Sequence, residues 1–403
     1  MPTPDSGSPP GVADPPLAGL RVLDLSRILA GPWATQLLAD LGADVVKVER
    51  PGTGDDTRGW GPPFIERAAD PSGTDGRATE RAAAYYHAAN RSKRSVAIDI
   101  ASDEGAARLR GLLARADVVV ENFRTGGLEA LGFGEEDLRA INPRLVVCSI
   151  TGFGRDGPRA AEPGYDAMIQ AMSGFMSVTG EPDGMPQKIG VALMDVLAGL
   201  YAANAIQAAL WRRERTGRGE RIDVALFDVA LASLANQALN FLATGEAPGR
   251  LGTAHPNIVP YQAFACLDGH VMLAVGNDAQ FARLCGALGR DDLATDPRFA
   301  TNADRVAHRE ALVPILEKAL ARRPLDDLLL ALEAARVPAG PINTLERAFA
   351  DPQAIARGLR LDMGGMPGVR CPIRFAEART APSRPAPRLG EHDGDVADDP
   401  GWS

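Results

Sequence analysis

Positive charge is in the minority in this 403-residue chain: 43 Lys and Arg stand against 52 Asp and Glu, leaving a formal charge of -9. A protein that grips a nucleic-acid backbone needs a basic stripe or tail, so nucleic acid is excluded as a partner. Cysteine is scarce. Cys148, Cys266, Cys285 and Cys371 show neither CxxC nor Cys/His ligand spacing, which excludes a disulfide scaffold and points to a reducing cytoplasm. The few histidines, His87, His255, His270, His308 and His392, offer no triad or metal spacing, and no metal is expected. The longest apolar run, residues 191–211, is broken by Asp195, Asn204 and Gln207; it reads as a buried helix and no membrane span is expected. Residues 1–16 lack the positive start and apolar core of a signal peptide and read as a disordered leader.

What is present is an ordinary globular composition, 45% apolar and 24% charged, in a chain long enough for two lobes. Strand patterns at residues 20–25, 44–49, 95–100, 117–121 and 144–150 alternate with helical stretches at 33–41, 102–116 and 135–141. This alternation predicts an α/β fold: a large Rossmann-like lobe over residues 17–200, with a parallel sheet and helices on both faces. A linker helix over 201–225, a smaller α+β lobe over 226–345 and a C-terminal segment, 346–403, returning to the large lobe complete the expected organisation. The tail beyond Ser383, rich in Pro, Gly and Asp, is expected to run over a surface. Parallel sheets bind ligands beyond the carboxyl ends of their strands, where the loops 26–32, 50–63, 122–127 and 151–165 fall.

Gly152-Phe-Gly-Arg-Asp-Gly157 has the GxGxxG spacing of a dinucleotide site. Pro158 and Pro163 deny it the helix whose N-terminus would hold a pyrophosphate. Lys47, Arg50, Arg58, Lys93, Arg94 and Arg124 lie in or beside the loops at the strand ends; singly each reads as surface charge, together as a pocket for the phosphates of a nucleotide-like cofactor. Asp195 is a carboxylate inside an apolar stretch, either a helix cap or a catalytic group. The two are compatible, because a helix N-terminus favours an ionised carboxylate against the upward push of burial. His255, three residues after Gly252, either orients a substrate carboxylate or is structural.

Ser26-Arg-Ile-Leu-Ala-Gly-Pro32, Glu49-Arg50, Asn90-Arg-Ser-Lys-Arg-Ser95, Glu121-Asn122-Phe123, Gly164-Tyr165-Asp166, the stretch 190–195, Thr216-Gly-Arg-Gly219 and Pro341-Ile-Asn343 follow in order. This series resembles the family III coenzyme A transferases, which include formyl-CoA transferase, over residues 17–393. The Gly-Asp-Asp-Thr-Arg loop ending at Arg58, the string ending Gly-Phe-Gly154, the Gly-Thr-Ala-His255 loop and Val259-Pro-Tyr-Gln-Ala-Phe264 look most like members that exchange CoA between succinate and glutarate-type dicarboxylic acids. The resemblance implies succinyl-CoA as donor and glutarate or hydroxymethylglutarate as acceptor. It implies that Asp195 becomes acylated, and that Leu29, Ala30, Arg50, Ile98, Asp99, Asn122, Phe123, Arg124, Tyr165 and Asp166 line the CoA site. Ala130 and Pro163 stand where formyl-CoA transferase has a CoA-binding arginine and lysine, so those phosphate contacts are made otherwise or are missing. Leu29 replaces a glutamine of that enzyme, which favours an acceptor with a carbon chain to bury. An interlocked homodimer is also implied.

In this chemistry CoA is a substrate, and no permanently bound cofactor is expected. Arg27, Arg58 and His255 are candidates for the acceptor's distal carboxylate, and backbone N–H groups near Gly252 and Gly190 for oxyanion stabilisation. An α-methylacyl-CoA racemase-like isomerase is the alternative, since that enzyme also resembles the chain; it uses a His and Asp pair, and Tyr165 stands in place of its histidine. A non-catalytic CoA-binding protein would have no need of Asp195.

Overall fold

Strands that are apolar at consecutive positions have to bury both faces, which places them in a parallel sheet covered on two sides. The computed structural model describes residues 14–67, 80–381 and 383–402; the expected leader lies outside them up to residue 13. Its first eight strands are β1 (Arg21–Asp24), β2 (Asp44–Glu49), β3 (Phe64–Arg67), β4 (Glu80–Ala83), β5 (Arg94–Ala97), β6 (Val118–Glu121), β7 (Val146–Thr151) and β8 (Arg221–Ala225). β3 and β4 form a separate antiparallel pair. The other six pair in parallel in the order β5-β2-β1-β6-β7-β8. Counting sheet strands alone, this is the 3-2-1-4-5-6 order of doubly wound folds.

The pleat divides the strand side chains between two cores. Val22, Val45, Val118, Val120, Val146 and Cys148 go to one face, and Leu23, Val46, Val119 and Val147 to the other. The helices that follow are α1 (Ala30–Asp40), α2 (Ala84–Asn90), α3 (Asp103–Arg115), α4 (Glu135–Ile141), α5 (Asp166–Met172), α6 (Leu193–Thr216) and α7 (Leu226–Ser233). α1, α5, α6 and α7 fill the first core; α3 and α4 fill the second.

α6 is long and apolar enough to cross a membrane by length and composition. Its buried residues, among them Ala198, Ala202, Ala203, Ile206 and Ala209, instead join the first core. Small side chains let it approach α1 closely: a Cβ on Gly199 would come within 2.7 Å of the Ala30 carbonyl oxygen. Residues 201–216, expected as part of a linker, are therefore core helix.

The C-terminal tail corrects another expectation, because it does more than run over a surface. Edge strand β5 is covered by it: the Ser92 N–H donates to the Arg384 carbonyl at 3.0 Å, His392 N–H to the Ser95 carbonyl at 2.9 Å, and Ala97 N–H to Asp393 at 2.8 Å. Val396 and Trp402 are buried in the second core. A bare edge would invite pairing with other chains, and this return blunts it.

The chain divides into two compact units: Met1–Phe175 with Ile189–Ala238 and Gln353–Ser403, and Met176–Lys188 with Leu239–Pro352. α7, expected at the head of the small lobe, falls in the first unit because Leu226, Val229 and Ala230 are buried in its core. The second unit holds an antiparallel sheet of β9 (Tyr261–Ala265), β10 (His270–Ala274) and β11 (Ala339–Pro341) in the order β11-β10-β9. Helices Arg309–Leu320 and Leu325–Ala334 supply Leu312, Leu316, Leu320, Leu328 and Leu332 to its core.

Candidate active site

The strand order reverses between β1 and β6, so the loops after these two strands diverge and leave a crevice. One stitch holds its floor: Arg27 N–H donates to Asn122 Oδ1 at 2.8 Å, and Asn122 Nδ2 donates back to the Arg27 carbonyl at 2.7 Å. The crevice is a cavity of about 320 Å³ into which all four loops marked in the sequence contribute. Arg27, Leu29, Ala30, Asn122, Phe123, Arg124, Tyr165, Asp166 and Asp195, all expected at the site, line it together. Arg50, Ile98 and Asp99 line a second cavity of about 300 Å³, and Arg27 and Phe123 line both.

Asp195 is the third residue of α6. The capping role belongs to Asp166, whose Oδ1 accepts from Met194 N–H at 2.7 Å and from Asp195 N–H at 3.4 Å. Gln170 holds Asp166 in turn, donating to its Oδ2 at 2.6 Å and accepting Ile189 N–H at 2.9 Å. Among the described residues nothing donates a hydrogen bond to the Asp195 carboxylate, which leaves it free for chemistry. Burial, and secondarily the charge of Asp166, push it up to about 7. The helix terminus was expected to keep it ionised, but even the about 2 kcal/mol it can supply in a partly buried site is less than desolvation removes.

The expected ring of cations is mostly spent on acidic partners. Arg58 is buried against Glu49, with Nε–Oε2 2.8 Å and Nη2–Oε1 2.7 Å; it also donates to Glu80 and the Tyr86 hydroxyl, both at 2.7 Å, and lies over the Tyr86 ring. Buried, neutralised by two carboxylates and absent from the lining of the cavity that contains Asp195, it is poorly placed for a substrate carboxylate, which corrects its candidacy. Lys47 pairs with Asp55 and Lys93 with Asp24, both at 2.9 Å and fully buried. Arg94 pairs with Asp44 and Asp399. Among the described residues Arg50 and Arg124 keep exposed guanidiniums outside any ion pair. Strand ends collect acidic and basic residues alike, and only the fold decides who meets whom.

Gly252 and His255 lie in the second unit. The Gly252 N–H donates to the Gly180 carbonyl at 2.9 Å, so it is not available as an oxyanion donor. His255 Nδ1 accepts Asn257 N–H at 3.0 Å and its ring packs 5.3 Å from that of Tyr261. Gly190 faces open space.

Sequence reasoning missed Tyr85, Trp60 and Asp56. Trp60 and Asp56 line the cavity, and the Tyr85 ring meets Trp60 edge-on at 5.4 Å. Burial, then the charge of Asp195, raises the Tyr85 phenol, which stays a donor. No motif marks this tyrosine in the short helix α2; its proximity to Asp195 does. The GxGxxG string has a steric reason: a Cβ on Gly152 would come within 2.5 Å of Gly164 Cα. That crossing lets the 163–166 loop carry Tyr165 and Asp166 to the cavity.

Residues 17–393 match the sequence model of CoA-transferase family III. The succinate–glutarate CoA-transferase of Agrobacterium fabrum is 53% identical over 387 residues, covering 95% of each chain. The succinyl-CoA:glutarate CoA-transferase of Homo sapiens is 42% identical over 384 residues, 94% of this chain and 84% of that one. The crystal structure of a CAIB/BAIF family protein from Brucella suis matches with a TM-score of 0.85 at 53% identity, covering 96% of this chain and 99% of that one. The doubly wound sheet, the crevice at its switch point and these matches lead to one conclusion: the chain belongs to CoA-transferase family III and is a CoA-transferase.

Proposed function

We propose that the enzyme moves coenzyme A from succinyl-CoA to a dicarboxylic acid, glutarate or hydroxymethylglutarate, through an aspartyl-CoA thioester on Asp195. The observation that carries this reading is the unbonded Asp195 carboxylate in a cavity that shares its wall with a second one containing Arg50. The second cavity, with Arg50, Ile98 and Asp99, suits the phosphates and nucleotide of CoA; Asn122, Phe123, Arg124, Leu29, Ala30, Tyr165 and Asp166 would line the path to Asp195. The exposed Arg50 and Arg124 guanidiniums are the cations left for phosphate, in place of the arginine and lysine replaced by Ala130 and Pro163.

Asp195 in its ionised form attacks the succinyl thioester carbonyl, and the C–S bond breaks to release CoA thiolate. The thiolate attacks the aspartyl carbonyl of the resulting anhydride, giving aspartyl-CoA and free succinate. The acceptor carboxylate then attacks that thioester and expels the thiolate. Attack of the thiolate on the acceptor's acyl carbon forms the product thioester and regenerates Asp195. Each thioester has roughly the energy of the one before, so positioning and exclusion of water are the protein's tasks. CoA enters and leaves as substrate.

For the acceptor's distal carboxylate the cavity offers Arg27, whose guanidinium is half exposed and paired with Asp56 at 2.7 Å. Arg58 is disfavoured by its buried partners, and the relatives named for succinate and glutarate support a two-carboxylate substrate. Arg27→Ala is expected to raise KM for glutarate about 10- to 100-fold, the loss of one charge-assisted contact, while leaving a monocarboxylate acceptor unaffected. Steady-state kinetics with both acceptors checks this.

Among the described residues no histidine lines the cavity, which disfavours the racemase alternative with its His and Asp pair. The deciding experiment supplies succinyl-CoA with a panel of dicarboxylic acids and follows new thioesters by mass spectrometry, with hydroxylamine to trap the aspartyl adduct. Exchange of an α-proton without movement of CoA would sink the transferase mechanism. The expected interlocked homodimer is supported by the exposed apolar side chains of α6, Leu200, Tyr201 and Trp211; light scattering reads the mass. The four cysteines are free thiols, which supports a reducing, cytoplasmic setting.

A further inference from the structure

The loop between β1 and α1 contains a backbone that its sequence does not favour. Ile28 has φ +72°, in the left-handed region that a β-branched side chain strongly disfavours. A residue persists there only when its surroundings over-determine it.

Those surroundings are specific. Lys47 Nζ donates to the Ser26 carbonyl at 2.8 Å, Asn122 holds both backbone groups of Arg27, and Asp55 Oδ1 accepts Ile28 N–H at 3.3 Å. Asp55 is built in from every side. Its own N–H donates to Glu49 at 2.9 Å, its Oδ1 also accepts from the Thr57 N–H and hydroxyl, and its Oδ2 pairs with Lys47. Its neighbour Asp56 takes the Arg27 guanidinium. Two successive aspartates thus hold the backbone of Ile28 and the side chain of Arg27. Both residues, and Leu29 after them, line the cavity that contains Asp195.

We infer that Asp55 is a positioning residue for CoA transfer, acting through Ile28 to aim Leu29 and Arg27 at the reacting centre. A glycine at position 28 would adopt this turn unaided. Ile28 adopts it because Asp55 captures its N–H, so the wall beside Asp195 depends on a carboxylate that is itself buried. This rests on the reading of that cavity as the transfer site.

Asp55→Ala is expected to lower kcat for transfer from succinyl-CoA to glutarate roughly 100-fold, the scale of a misplacement near 1 Å. Adding Ile28→Gly to Asp55→Ala is expected to recover at least fivefold of that loss, because the turn no longer needs its acceptor. A purely structural role through Lys47 would show no such recovery, and its absence overturns the proposal. Asp55→Asn guards against misfolding: it retains an oxygen to accept Ile28 N–H while removing the charge opposite Lys47. It should melt at a lower temperature than the wild type yet lose only a few fold in kcat; a loss equal to that of Asp55→Ala also overturns the proposal. The crystal structure of Asp55→Ala gives a readout independent of any substrate. Ile28 at negative φ supports the inference, and Ile28 still near +72° refutes it. If the wild type moves no CoA between these acids, the substrate reading fails and that structure alone decides the positioning role.

Discussion

Asp195→Asn is expected to abolish transfer, by about 10⁴-fold or more, and at the same time to make the protein more stable at pH 8. The amide cannot form the anhydride, so the first effect follows from the chemistry. The second follows from the carboxyl's raised affinity for its proton, from a reference of 3.8 to about 7. Below about pH 4 both folded and unfolded chains hold the proton. Between pH 4 and 7 the unfolded chain has released it while the folded chain keeps it, so stability falls as pH rises through this window and levels off above it. The ceiling of the loss is about 4 kcal/mol for a shift of about three pH units, and relaxation around a new buried charge lowers it. Melting curves of both proteins from pH 4 to 8 should therefore diverge as pH rises. A difference that is constant across the range would remove the electrostatic explanation. The same ionisation predicts a transfer rate that climbs through about pH 7, since only the carboxylate is nucleophilic.

The second large effect concerns Arg58→Ala, expected to destabilise the fold by about 3–5 kcal/mol. Glu49 would be left buried without its two-point partner, and Tyr86 would lose both the cation over its ring and a hydrogen bond. Arg58 also donates to the Pro387 carbonyl, so the C-terminal segment loses an anchor beside the covered edge strand. Arg58→Lys should recover little, because an ammonium cannot reproduce the planar fork. In the folded fraction of either variant, KM for glutarate should stay near the wild-type value. Urea unfolding and acceptor kinetics together distinguish this from a substrate role, in which KM would rise without the loss of stability.

Much of the architecture was legible because period and composition carry it. The valine-rich strands 44–49, 117–121 and 144–150 announced a sheet buried on both faces, and their alternation with helices announced parallel pairing. The carboxyl-end rule then located the site in loops at 26–32, 50–63, 122–127 and 151–165, and these loops do meet at one cavity. The tail was misread because Pro, Gly and Asp suggest a surface path, whereas Val396 and Trp402 find places in the core once β5 needs cover.

Asp195 stood out in the sequence as a charge among apolar residues, with cap and nucleophile both open. Only the tertiary structure took the capping role from it, by bringing Asp166 across to cap α6 and leaving the Asp195 carboxylate unbonded. The same holds for the cations: Lys47, Arg58 and Lys93 were visible as residues, and their buried partners were not. Periodicity and loop chemistry are local and can be read along a chain. Which charge neutralises which is set by distances between segments far apart in sequence, and in a buried site those distances determine which groups remain free to react.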